Sequence, residues 1–240
     1  MMKAKYAAIF VFVGVCSLAF PICHGFTAHN GGTDTSRASN RNNDTVSLIK
    51  SMKQLKALPK GTFIETCDLS GQGLKYLPDL KAYNIRKLNL SGNNFWRRGF
   101  NEDKRLPKSL EILDMSNCRV LTTDRNKKGV AYVKDADASI WFVEDSFPKL
   151  REIDLHNTKL SSVRFQRCVE KADLSNCDLY QFKITGYWDK EKLKLRYLDI
   201  SHNWKMYNGI GIKPEEINSI DTLKRDSCAE GKELWEGYWL

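Results

Sequence analysis

The chain has 240 residues, 42% of them hydrophobic, and a formal net charge of +9. That length suits one domain or two small ones and is ample for a core. The apolar fraction excludes global disorder, and the surplus of bases brings anionic partners into consideration.

Residues 1–25 read as a secretory signal peptide. Lys3 and Lys5 give a basic start, and Ala7 to Phe20 is uncharged and apolar. Such a run is long enough for a signal core and short for a membrane span. Cys23 and Gly25 suit cleavage before Phe26, which predicts a secreted or extracytoplasmic protein with no membrane span after cleavage. Removing Lys3 and Lys5 from the 38 bases leaves 36 against 29 acids, a net of +7. Residues 26–43 are Gly, Ser, Thr and Asn with almost nothing apolar, as in a flexible linker.

Residues 44–60 predict a helical N-terminal cap. Asp44 can cap it, and Val46, Ile49, Met52 and Leu55 recur every three residues.

From 61 to 210 one pattern recurs: apolar, two residues, apolar, one residue, apolar, two residues, small or polar, one residue, apolar. Its copies start at Ile64, Ile85, Leu110, Leu150, Val169 and Leu195. The second is Ile85, Leu88, Leu90, Asn93, Phe95; the fifth is Val169, Ala172, Leu174, Cys177, Leu179. In the sixth, Lys205 stands where the last apolar residue belongs.

The pattern resembles the leucine-rich-repeat signature. The resemblance implies an α/β fold, a right-handed solenoid with a parallel concave sheet, irregular turns and short helices outside, and helical caps. Strands are predicted near 66–69, 87–90, 112–115, 152–155, 171–174 and 197–200, with alternate residues inward. Asn93 and Asn203 should serve neighbouring turns as buried donors and acceptors, with Cys118 and Cys177 as thiol substitutes and Cys67 in the core. Cys168 and Cys228 fall outside the pattern.

The 40-residue step from Leu110 to Leu150 contains an insertion, 121–149. GVAYVKDADASIWFV predicts a hairpin around Asp135–Ala138, with Trp141 and Phe142 on opposite faces. Residues 211–240 predict a C-terminal cap: a helix from Pro214 with Ile217, Ile220 and Leu223 inward, then Trp235, Tyr238 and Trp239.

Between the strand apolars, one outward column reads Asp68, Asn89, Asp114, Asp154, Asp173, Asp199. Stacked about 4.8 Å apart, these carboxylates repel unless neighbours or a partner compensate. Adjacent columns mix Glu65, Glu111, Glu152 and Glu170 with Arg86, Lys87, Arg151, Lys171 and Arg196. The next outward column is serine (Ser70, Ser91, Ser116, Ser175, Ser201), save for His156 in the fourth repeat. His156 beside Asp154 has the chemistry of a metal ligand or an acid–base group, but no second ligand is expected on the adjacent strand, so an exposed histidine is the reading here.

No glycine-rich phosphate loop, G-x-S-x-G or H-E-x-x-H is present. The sequence therefore predicts a non-enzymatic protein without cofactor or metal, binding a protein partner through the concave sheet and the insertion. The candidate contact residues are Asp68, Asp114, Asp154, Asp173, Asp199, Trp141, Phe142 and His156. The alternatives are inhibition of, or weak catalytic participation with, a secreted enzyme, and attachment to an anionic envelope surface. Trp96 beside Arg97 and Arg98 is too short a basic–aromatic cluster to predict nucleic acid binding.

Overall fold

The computed structural model describes residues 45–100, 104–143, 146–185, 192–206, 212 and 214–226, all within one unit, 42–240. The expected signal peptide and linker, Cys228 and the three tail aromatics lie outside these residues. In chain order the elements are β1 (Thr45–Ile49), α1 (Met52–Lys56), β2 (Phe63–Asp68), β3 (Asn84–Asn89), β4 (Asn94–Trp96), β5 (Ile112–Asp114), β6 (Arg119–Arg125), β7 (Ala131–Asp135) and β8 (Ser139–Trp141). There follow β9 (Glu152–Asp154), β10 (Ser162–Gln166), β11 (Lys171–Asp173), β12 (Gln181–Thr185), β13 (Tyr197–Asp199), α2 (Pro214–Ile217) and β14 (Thr222–Lys224).

The chain is a parallel-strand solenoid of stacked coils. Eight strands form one parallel sheet in the order β1-β2-β3-β5-β9-β11-β13-β14. The six expected strands thus pair in sequence order. In register, Ile49, Cys67, Leu88, Leu113, Ile153, Ala172, Leu198 and Leu223 form one inward row. All but the last are buried, and Leu223 packs against the same core. Each coil presents only a strip of apolar side chains, so stacking is what closes the core.

The expected helical caps give way to strands. Thr45–Ile49 is β1, with Val46 opposite Ile64 and Ile49 opposite Cys67. An apolar spacing of three fits one face of a helix, but it also fits the first two apolar positions of the repeat. Here the repeat prevails, because β1 pairs with a strand already in place. The helix begins only after Ser51, whose Oγ accepts from the Gln54 N–H at 3.2 Å, and it lasts five residues. The other end repeats this outcome. The helix from Pro214 stops at Ile217, and Thr222–Lys224 adds to β13, with Leu223 opposite Leu198.

The opposite wall is also stranded rather than helical. One short sheet runs β12-β10-β8 and another β4-β6-β7. In Ser162–Gln166 and Gln181–Thr185 apolar residues alternate with polar ones; Val163, Phe165, Phe182 and Ile184 are buried, as are Ser162 and Gln166 at the ends of β10. Phe165 and Phe182 stack with ring centroids 6.0 Å apart.

The insertion turns earlier than expected. The hairpin joins β6 to β7 antiparallel, turning at Asn126–Val130, with Gly129 at φ +77. Asn126 Oδ1 accepts from the N–H groups of Lys128 and Val130, which fixes the turn. Asp135–Ala138 is no solvent turn, because Ala136 and Ala138 are buried. The next segment, β8, pairs parallel with β10 instead.

The ladder is as the spacing predicts. Asn93 Oδ1 accepts from Leu74 N–H, and its Nδ2 donates to the carbonyls of Leu69 and Leu90. Cys118 and Cys177 each donate to a carbonyl of the preceding coil, Leu90 at 3.1 Å and Leu155 at 3.0 Å. Burial pushes the thiols of Cys67 and Cys118 up to about 12 and that of Cys177 to about 11. Such thiols are core groups rather than nucleophiles.

A second ladder runs through the turn. Gly71, Gly92, Asn117, Asn157, Asn176 and His202 all have positive φ, from 54° to 68°. Each N–H donates to a carbonyl of the following coil, as Asn157 does to Ser175 and Asn176 to Ser201. Only Gly, Asn and similar residues hold this conformation cheaply. Asn176→Val is therefore expected to cost on the order of 1–3 kcal/mol, while Asn176→Gly stays within about 0.5 kcal/mol of the parent. Paired thermal melts measure the difference.

Candidate functional site

The acid column is in register as expected: Asp68, Asn89, Asp114, Asp154, Asp173, Asp199, and then Lys224. Each of the first six uses its Oδ1 to accept the N–H two residues on, at 2.8–3.1 Å. These are Asx turns, which start the chain's exit from each strand. Asn89 does this as well as the aspartates, so the turn needs the oxygen and not the charge.

The charge is compensated unevenly. Asp199, expected on the partner face, is buried, with Ser201 donating to it and Lys224 Nζ 3.3 Å away. Burial raises its pKa, but those hydrogen bonds and Lys224 outweigh burial and hold the carboxyl below its usual range. Three residues earlier in each coil stands an alternating column: Glu65, Arg86, Glu111, Arg151, Glu170, Arg196, Asp221. Arg86 bonds Glu65 at 2.6 Å and Glu111 at 2.9 Å. The hydrogen bond from Arg86 lowers the Glu111 pKa against the effect of burial. This column largely neutralises itself. Asp68, Asp114 and Asp173 have no ion pair among the described residues.

His156 stands in the middle of that uncompensated stretch. Its Nδ1 is 2.7 Å from Asp154 Oδ1, and its Nε2 is 3.3 Å from the Asn117 side-chain nitrogen. Burial lowers its pKa, but the Asp154 hydrogen bond and the charges of Asp154, Asp173 and Asp114 together raise it. The expectation that the adjacent strand lacks a second ligand is corrected: Asp173, opposite Asp154 in register, completes a cluster. One donor atom each from Asp154, His156 and Asp173 lies within 4.8 Å of the others. The sequence held the signal, since Asp154 and Asp173 occupy the same repeat position. Asn117, Asn157 and Asn176 run alongside, linked amide to amide at 2.9 and 3.1 Å.

The insertion supplies a different surface. Trp141 is 49% exposed, with the Arg164 guanidinium 4.7 Å from its ring centroid. Phe142 is fully buried, edge-on to Phe147, and belongs to the core rather than to a contact surface. The hairpin adds three apolar residues that the sequence reading left unassigned: Val130, Tyr132 and Val133, each 45–59% exposed. Their signal was the Asn126–Gly129 turn followed by a β-rich run. Every residue of β7 is exposed. Trp141 lies in the second sheet, on a different wall from the acid column. Ser161 N–H donates to Ala138 O at 3.0 Å, which extends the β8–β10 pairing of that second sheet by one residue.

No protein family, curated protein or solved structure matches this chain. Among the described residues, no helix is long and apolar enough to cross a membrane.

Proposed function

We propose that the chain is a secreted, non-enzymatic leucine-rich-repeat module that binds a protein partner through the front sheet and the 121–149 insertion. The observation that carries this reading is the exposed apolar surface of the insertion. Of eight exposed large hydrophobics among the described residues, Val130, Tyr132, Val133 and Trp141 come from this one segment. Val130, Tyr132 and Val133 lie on the β6–β7 hairpin and Trp141 on β8, and exposed apolar area concentrated in one segment suits an interaction site. Tyr and Trp are the usual anchors of such sites.

The acid column contributes differently. Asp114, Asp154 and Asp173 project a local negative field from a chain with a positive net charge, which suits a partner with a basic patch. The test is kinetic, on the partner that the immobilised chain captures. Asp114/Asp154/Asp173→Asn keeps every Asx turn and deletes only charge. It is expected to slow association about tenfold at low salt and to flatten the salt dependence. Trp141→Ala with Val133→Ser is expected to speed release instead, since desolvated anchors act mainly on dissociation. Unchanged kinetics in both variants would refute this reading.

A further inference from the structure

We infer that Asp154, His156 and Asp173 form a binding site for a divalent transition-metal ion of the zinc class. The inference does not depend on protein recognition. It begins with the repeat as its own internal standard. Five of the six repeats place serine two residues after the Asp-column position; the fourth places His156. His156 is half-buried, with 39% of its side chain open to solvent, and it is not part of the apolar core that fixes the inward rows. A repeat departs from its own pattern where another requirement acts.

The donor set is suited to an ion. Two carboxylates and an imidazole, on β9 and β11 and the turn leaving β9, bring their donor atoms within 4.8 Å of one another. The Nδ1–Oδ1 pair is hydrogen-bonded at 2.7 Å; an ion replacing the proton between them would spread the two atoms by about 0.6 Å, to the spacing of ligands about 2.0–2.1 Å from a tetrahedral zinc. Oδ1 of Asp154 and of Asp173 is held by its own Asx turn, which fixes each carboxylate. Among the described residues nothing bonds Oδ2 of either. The Asn117 side-chain nitrogen lies 3.3 Å from the other ring nitrogen; with a metal on Nδ1 that ring nitrogen carries the proton, so the Asn117 amide must turn its oxygen toward it to act as an outer partner. Asp114, on the next strand, adds a third carboxylate to the local field.

The mixture selects the metal. Imidazole with carboxylate suits zinc, cobalt, nickel and copper, whereas calcium and magnesium take oxygen ligands alone. Three protein ligands leave a fourth position for water or for a donor from another molecule.

Titration calorimetry of the full chain with Zn²⁺, and visible absorption with Co²⁺, tests the site. His156→Ser installs the residue that the other coils carry, so the variant keeps the fold, which a metal-free melt checks. Asp173→Asn retains the Asx turn. The wild-type chain is expected to bind one equivalent more tightly than either variant, by about tenfold or more, since even losing an outer partner costs about that much. Ca²⁺ should bind more weakly than Zn²⁺ and should not distinguish wild type from His156→Ser. Equal Zn²⁺ affinity in wild type and His156→Ser would place any bound metal elsewhere and overturn the inference, as would no uptake by the wild type at about 100 μM metal, which would put the Kd at about a millimolar or weaker.

Discussion

Leu113→Asp is expected to abolish cooperative folding. Leu113 sits fully buried in the third coil, between Leu88 of the coil before and Ile153 of the coil after. Removing a buried leucine side chain costs about 2–5 kcal/mol by itself. The new carboxylate adds several kcal/mol more, because no described cation reaches that row. The sum, roughly 5–10 kcal/mol, is comparable to the about 5–15 kcal/mol that a domain holds in reserve. Far-ultraviolet circular dichroism on heating should show no sigmoidal transition. Leu113→Met should melt within a few degrees of the parent. A cooperative melt in the aspartate variant would mean that these strands do not share one core.

The second large effect concerns Asn203, which is fully buried. Its Oδ1 accepts from the N–H groups of Cys177 and Leu179, and its Nδ2 donates to the carbonyls of Leu174 and Ile200. One side chain thus satisfies four backbone groups in two coils. Asn203→Leu matches its size and removes all four hydrogen bonds. At about 1–3 kcal/mol for each buried unsatisfied group, with partial relaxation, the expected loss is about 4 kcal/mol. Asn203→Cys should cost less, because Cys118 and Cys177 hold the equivalent place with one donor each. Chemical denaturation of the pair gives the comparison.

What the sequence made legible follows from which constraints are periodic. The row from Cys67 to Leu198 and the ladder from Asn93 to Asn203 recur at fixed offsets, so a packing reason could be assigned to each. The ends are ambiguous in sequence because Val46-x-x-Ile49 and Ile220-x-x-Leu223 fit both a helix face and a truncated repeat. Only an available sheet edge decides between them. The Asp column was seen, but its Asx turns were not. Its members therefore looked more repulsive, and more accessible, than Asp199 proves to be. His156 stands out in the sequence as the one break in the serine column, whereas its second ligand follows only from the register that sets Asp173 opposite Asp154, which the repeat spacing implies. The hairpin depended on a single Asn126–Gly129 turn, which no periodicity announces.

Backbone hydrogen exchange on the full chain, with and without its captured protein partner, bears most directly on the claim that the insertion and the front sheet form the recognition surface. Protection on binding is expected at residues 130–141 and at the turns around Asn117, Asn157 and Asn176. The opposite edge of the front sheet, β1, should be unaffected. Protection confined to β1 or β14, with residues 130–141 unchanged, would contradict the account.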